Sequence, residues 1–363
     1  MVTQDAVLDA LRAVRDPEGQ QDIVSLGLIR DLTIADSQVT FTLAFTTQSA
    51  ASKATMHSMA SRAVGRVPGV EKVQVKMGSA QPGRQAQGAP HAHGAPKPED
   101  FIPEVKQTIA VSSGKGGVGK STVTVNLAVG LRQAGAAVGI IDSDVYGPDI
   151  PLMLGTRGRP GMFENRIIPV EAHGMKMMSI GLLVNDREPL VWRGPMIHSF
   201  IQQMLKDVNW GALDYLVFDM PPGTGDAQLS LSQVIPLSGV VMVTTPQEVA
   251  LLDVRKAIAM FQKLNVPILG IVENMSYFVA PDTGKRYAIF GEGGGRKLAE
   301  EYGVPLLAQV PLDPATRQAG DEGTPITVRV PDSMQARAFR ELAVAVRRRL
   351  DELAALRPLP KIG

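Results

Sequence analysis

The sequence predicts an α/β fold in which a mostly parallel sheet is covered by helices on both faces, preceded by a small α+β domain. Three observations carry this. Short, near-continuous apolar runs recur between helix-length segments after residue 100, the pattern of strands buried on both faces. A glycine-rich stretch, SSGKGGVGKST (112–122), joins one such run to a helical pattern. Before it, GSAQPGRQAQGAPHAHGAPKPED (78–100) holds almost no large apolar residue and divides the chain in two.

The first part, residues 1–77, opens with an amphipathic pattern at Val7, Leu8, Leu11 and Val14. Strand-like GLIRDLTI (27–34) and QVTFTLAF (38–45) follow, then a helical AASKATMHSMASRAVGRV and a last strand, VEKVQVKM. The order α-β-β-α-β predicts a small α+β unit. Residues 78–100 read as a flexible linker. In the second part, residues 101–363, the strand candidates are TIAVSS (108–113), AVGIID (137–142), DYLVFDM (214–220), GVVMVTT (239–245), PILGIVENM (267–275) and LLAQVP (306–311). Sheets of this kind bind ligands at the carboxyl ends of their strands. The closing RAFRELAVAVRRRLDELAAL places Phe339, Leu342, Val346, Leu350 and Leu353 on one helical face, which predicts a helix docked on the core rather than on a membrane.

Bulk properties exclude several classes. A length of 363 residues favours two domains. A net charge of +1 gives no field for nucleic acid or an anionic membrane. The first residues carry early acids and no uninterrupted apolar stretch, unlike a secretory signal, and no apolar run approaches the roughly 18 residues that cross a bilayer. A cytoplasmic protein is expected. Cysteine is absent, so disulfides, thiol nucleophiles, thiolate zinc sites and self-ligated iron–sulfur clusters are excluded.

Residues 114–121 fit G-x-x-x-x-G-K-S/T, and the strand before and helix after are what the mechanism of a phosphate-binding loop requires. Gly114, Gly116, Gly117 and Gly119, with Val118 between them, would let backbone N–H groups converge on phosphate oxygens. The start of the helix at Ser121 and Thr122 adds its positive end. Lys120 is assigned to the β- and γ-phosphates, and the Ser121 hydroxyl to Mg²⁺. Asp219, ending DYLVFDM, is the second magnesium contact. PPGTGD (221–226) would sense the γ-phosphate. Asp142 and Asp144 end another strand, in IIDSDVYGPD: one would orient the attacking water and the other support Mg²⁺, with Asp144 preferred for the water. The cofactors expected are therefore ATP or ADP and Mg²⁺.

The loop GKGGVGKS resembles the deviant Walker-A loop of septum-site and partition ATPases, nitrogenase iron protein and arsenite-pump ATPases. By that resemblance Lys115 crosses a dimer interface to the partner's nucleotide, which implies a homodimer and dimer-dependent hydrolysis. DSDVYGPDIPLMLG (142–155), VWRGPM (191–196), FDMPPGTGD (218–226), VTTPQEVALLDVRKAI (243–258) and GIVENMSYF (270–278) resemble the Mrp-type group of iron–sulfur cluster carrier ATPases. VRDPE (14–18) and DIVSLGLIRDL (22–32) resemble the MIP18-type domain fused to bacterial members. The likeness covers nearly the whole chain. It implies that Asn274 hydrogen-bonds the adenine edge and that Pro311 lines the base pocket.

The chain departs from that group in one respect. Its relatives typically carry C-x-x-C after N-M-S-Y-F, where this sequence has Ala280 and Thr283. TTQSAA (46–51) likewise lacks the cysteine of many MIP18-type domains. Asp282 is a lone oxygen donor, and His91 and His93 lie in the linker. His57, His173 and His198 share no spacing that argues for joint ligation. The leading expectation is a Mg-dependent ATPase in iron–sulfur cluster assembly that holds no cluster itself and works with cysteine-bearing partners. A positioning ATPase, or a nucleotide-gated scaffold, is the alternative. The segments VWRGPM and FGEGGG (290–295) remain unassigned.

Overall fold

The computed structural model describes residues 2–15, 21–35, 37–45, 50–70, 72–79, 101–183 and 194–356. The chain divides into two compact units, residues 1–94 and 95–363. The expected linker lies outside the described residues from residue 80 on, as do His91, His93, TTQS (46–49), most of VRDPE, and Trp192 and Arg193 of VWRGPM.

The N-terminal unit contains α1 (Gln4–Arg12), β1 (Ile29–Ala35), β2 (Gln38–Phe45), α2 (Ala50–Gly65) and β3 (Lys72–Ser79), in the order the sequence predicts. Thr3 caps α1, its hydroxyl accepting the Ala6 N–H at 3.3 Å. The apolar positions that define α1 do bury: Val7 and Leu11 pack with Phe41, Leu43, Met56 and Val64 in a core of their own. The sheet runs β1-β2-β3, antiparallel then parallel.

The C-terminal unit is built on strands β4 (Val105–Ser113), β5 (Val138–Asp142), β6 (Gly161–Phe163), β7 (Arg166–Ile168), β8 (Val170–Ala172), β9 (Met175–Ser179), β10 (Leu213–Asp219), β11 (Gly239–Thr244), β12 (Ile268–Glu273), β13 (Phe278–Val279), β14 (Arg286–Tyr287) and β15 (Leu306–Gln309). Eight of them form one sheet in the order β15-β12-β11-β4-β10-β5-β9-β8. Every pairing in it is parallel except β8 with β9 at the edge. The pairs β6–β7 and β13–β14 are separate small hairpins.

Helices α3 (Lys120–Gln133), α4 (Ile150–Met153), α5 (Gly194–Asp207), α6 (Asp226–Val234), α7 (Glu248–Lys263), α8 (Gly294–Tyr302), α9 (Pro314–Asp321), α10 (Ile326–Arg329) and α11 (Met334–Ala355) cover it. Alternation along β4 shows how. Ile109 and Val111 point into a core filled by α3 and α11, whereas Ala110 faces a second core filled by α5, α6, α7 and α8. The closing helix docks as expected, with Phe339, Leu342, Val346 and Leu350 buried. Complete burial of Phe339 alone removes apolar surface worth about 2–3 kcal/mol.

Candidate functional site

Strands β4, β5 and β10 end side by side, with Asp219 level with Val111 and Asp142. This register brings three chemically different chain segments to one spot. Beyond β4 the chain turns through residues 114–119 into α3, whose first residue is Lys120. The turn needs glycine at Gly119, where φ is +79° and an added Cβ would lie 2.2 Å from the Asn274 side-chain nitrogen.

Lys120 is buried, and its ammonium donates to Asp219 Oδ2 at 2.6 Å and lies 3.5 Å from Asp144 Oδ2. The Ser121 hydroxyl donates to the same Asp219 oxygen at 2.8 Å. Thr124 holds the other oxygen at 2.6 Å. Four residues after Lys120, Thr124 sits on the same face of α3. That spacing was a signal for it, although the motif alone does not name it.

The two aspartates at the end of β5 and just beyond it separate sharply. Asp142 is fully buried, accepts from Ser179 Oγ at 2.8 Å, and takes the N–H groups of Ile150 and Asp144. Burial, with the nearby Asp219 charge adding, pushes its carboxyl well above the usual range. Asp144 instead lines a cavity of about 240 Å³ together with Lys115, Gly116, Gly117, Gly119, Lys120, Ser121, Thr122 and Pro222. Burial also raises its carboxyl, against the opposing pull of Lys120. The preferred aspartate is therefore the one that reaches this cavity, and Asp142 braces the strand end beneath it.

Lys115 stands partly exposed at the cavity wall, its carbonyl accepting from Ser113 Oγ at 2.9 Å. No carboxylate among the described residues forms an ion pair with it. The segment after β10 closes the cavity at Pro222, and the Gly223 N–H donates to the Ser113 carbonyl at 2.9 Å.

A second cavity, about 350 Å³, adjoins the first: Thr122, Asp149 and Met153 line both. Asn274, Met275 and Pro311 also line it. The Asn274 amide nitrogen donates to the Val118 carbonyl at 2.9 Å, which leaves its carbonyl oxygen to accept. By resemblance the sequence assigns Asn274 and Pro311 to a base pocket, and both line this cavity. That assignment missed Asp149 and Met153, which follow a Gly-Pro turn with no spacing signal. FGEGGG also gains a place: it leads into α8, where the Gly295 N–H donates to Glu273, a fully buried carboxylate.

Ala280 and Thr283 lie between β13 and β14. The Ala280 N–H donates to the Lys285 carbonyl at 3.0 Å, and the Gly284 N–H to the Ala280 carbonyl at 2.8 Å. Among the described residues, no group of three or more His, Cys, Asp or Glu side chains is placed to hold a metal ion. No helix among them is long and apolar enough to cross a membrane.

A strand–loop–helix cradle, a buried lysine and strand-end carboxylates on a parallel sheet define a P-loop NTPase. Residues 104–347 match the family described as NUBPL iron-transfer P-loop NTPase, and residues 4–77 match the family described as iron–sulfur cluster assembly protein. The chain belongs to this family of iron–sulfur cluster carrier and assembly proteins. An iron–sulfur cluster carrier protein of Synechocystis is 50% identical over 94% of this chain and 96% of its own. The chloroplast Fe–S cluster assembly factor HCF101 of Arabidopsis is 44% identical over 94% of this chain and 63% of its own. Among solved structures, a nucleotide-binding protein of Archaeoglobus fulgidus in complex with ADP shares 39% identity. It superposes with a TM-score of 0.59 over 66% of this chain and 95% of its own. The cell division ATPase MinD of Pyrococcus furiosus follows with 25% identity and a TM-score of 0.51, over 67% of this chain and 98% of its own.

Proposed function

We propose that the protein is an ATPase of iron–sulfur cluster assembly that binds and hydrolyses ATP but holds no cluster on its own side chains. The observation that carries the ATPase reading is the convergence of Lys120, Ser121 and Thr124 on the two oxygens of Asp219. The Ser121 hydroxyl and Asp219 carboxylate, 2.8 Å apart, are oxygen donors of the kind Mg²⁺ takes, so the residues present fit that ion. When bound, Mg²⁺ neutralises charge between the β- and γ-phosphates.

The chain's own residues do the rest. Backbone N–H groups of residues 116–121 and the positive end of α3 receive the phosphates. Lys120 neutralises the β- and γ-oxygens, and Asp144 orients the attacking water from the cavity wall. Asn274, its amide nitrogen already engaged, presents an acceptor that suits the adenine amino group and repels the guanine carbonyl oxygen. Asp149 and Thr122, shared by both cavities, flank the ribose and α-phosphate. Lys115, without a carboxylate partner, is the cation a second copy of the chain supplies to the transition state. Exposed Val249 and Leu252 on α7 support such a face, because α7 abuts the loop where an added Cβ at Gly114 would lie 2.2 Å from the Asp253 carbonyl carbon.

An iron–sulfur cluster, the cargo of the family, does not fit the donors present. Ala280 offers none and Thr283 a neutral hydroxyl, whereas clusters take thiolates. Cysteine-bearing assembly or client proteins are therefore the expected partners. The match of residues 4–77 to an assembly family favours this reading over a positioning ATPase.

The test is a pair of variants measured for nucleotide binding and phosphate release. Lys120→Ala should abolish binding. Lys115→Ala should retain binding yet lose hydrolysis by at least about a hundredfold, as removal of a cation supplied in trans does. Normal hydrolysis by Lys115→Ala would remove the second copy from the mechanism.

A further inference from the structure

Glu273 ends β12 with its side chain fully buried. An isolated carboxylate in such a place costs several kcal/mol, so its partners state what it is for. All three are neutral donors, and each belongs to a different segment. Ser276 Oγ donates to Oε1 at 2.5 Å, from the turn that carries Asn274 and Met275. Gln309 Nε2 donates to the same oxygen at 2.8 Å, from the end of β15, two residues before Pro311. The Gly295 N–H donates to Oε2 from the first turn of α8, whose positive end suits an anion.

The main chain repeats the connection: the Ser276 N–H reaches the Val310 carbonyl and the Val310 N–H the Glu273 carbonyl, both at 2.9 Å. The turn between is strained, because Met275 adopts φ +53° without being glycine. It persists because its surroundings hold it. At Gly295 an added Cβ would lie 2.7 Å from the Glu273 Cβ, so the glycine segment leaves room for this carboxylate.

We infer that Glu273 is a positioning residue for base recognition, tying the Asn274 turn, the end of β15 that leads to Pro311 and the start of α8 into one rigid base pocket. The inference rests on the ATP-binding reading above. Glu273 touches no nucleotide. It acts by fixing the direction in which the Asn274 acceptor points and the gap between Asn274 and Pro311. Phosphate affinity resides in residues 114–121, none of which is among the hydrogen-bond partners of Glu273.

The experiment measures binding of ATP, GTP and inorganic tripolyphosphate, each with magnesium, to the full chain, Glu273→Gln and Gly295→Ala. The first variant is isosteric but replaces one carboxylate oxygen with an NH₂ donor, so the three donors no longer share two acceptor oxygens. The second pushes on the carboxylate from the opposite side. Both should reduce the preference for ATP over GTP about tenfold, the scale of one lost hydrogen bond, with tripolyphosphate affinity unchanged within about twofold. An unchanged ATP preference in both variants would overturn the inference, as would a parallel loss of tripolyphosphate. If the unaltered chain binds no ATP, the proposed function falls instead.

Discussion

Gly119 shows how much of the site one residue can determine. Its φ of +79° favours glycine, and the missing Cβ is what lets the Asn274 amide reach the Val118 carbonyl. Alanine there combines left-handed backbone strain with a steric collision. Gly116 in the same loop meets nothing within 4 Å and has no positive φ. Gly119→Ala should therefore lower stability by about 2 kcal/mol in thermal or denaturant unfolding, and Gly116→Ala by less than about 0.5 kcal/mol. Equal losses would mean that the loop does not depend on the Asn274 contact. Asp142 and Asp144 teach the same lesson. Identical residues two positions apart differ because one turns to Ser179 and the other to the cavity.

At the scale of elements, β10 is the strand on which the site depends, and Asp214 anchors its start. The carboxylate accepts from Lys106 Nζ of β4 and from the Ala137 N–H ahead of β5, both at 2.8 Å. Lys106 first, then the Ala137 N–H, hold this carboxyl below its usual range. A depressed folded value means stability that is present above the unfolded value of 3.8 and lost as pH falls through the folded one. Asp214→Asn should lower the melting temperature at neutral pH by roughly 1–2 °C, a modest effect because the pair is solvent-screened. The difference should shrink below about pH 3.8; a gap that persists in acid would assign it to lost hydrogen bonds rather than charge. The β10 run was legible because its apolar residues are continuous and end in a carboxylate. Strand β9, MKMMS, was not: it lacks the β-branched residues that mark its neighbours, and it owes its place to pairing with β5. Glu273 was equally hidden, since its partners Gly295 and Gln309 lie 22 and 36 positions away. The phosphate loop, by contrast, was readable because its function resides in a contiguous stretch.

For the whole molecule, fold and composition pull in different directions. Sequence likeness to carrier proteins extends over both units, and Lys120 and Ser121 converge on the Asp219 carboxylate. Cysteine, whose thiolates ligate iron–sulfur clusters, is absent from all 363 positions. The hairpin of β13 and β14 is closed by main-chain hydrogen bonds and by Arg286 stacked 3.6 Å above the Tyr277 ring, and Ala280 and Thr283 there present no thiolate. The protein reconstituted anaerobically with iron and sulfide and then desalted should hold essentially no iron and show no thiolate-to-iron absorption, while its ATP binding is unchanged. Adding a cysteine-bearing assembly partner should restore a cluster, bound to the partner's thiolates. A stoichiometric, absorbing cluster on the pure chain would show that oxygen and nitrogen donors suffice, and Ala280 and Thr283 would no longer separate this protein from its cluster-binding relatives.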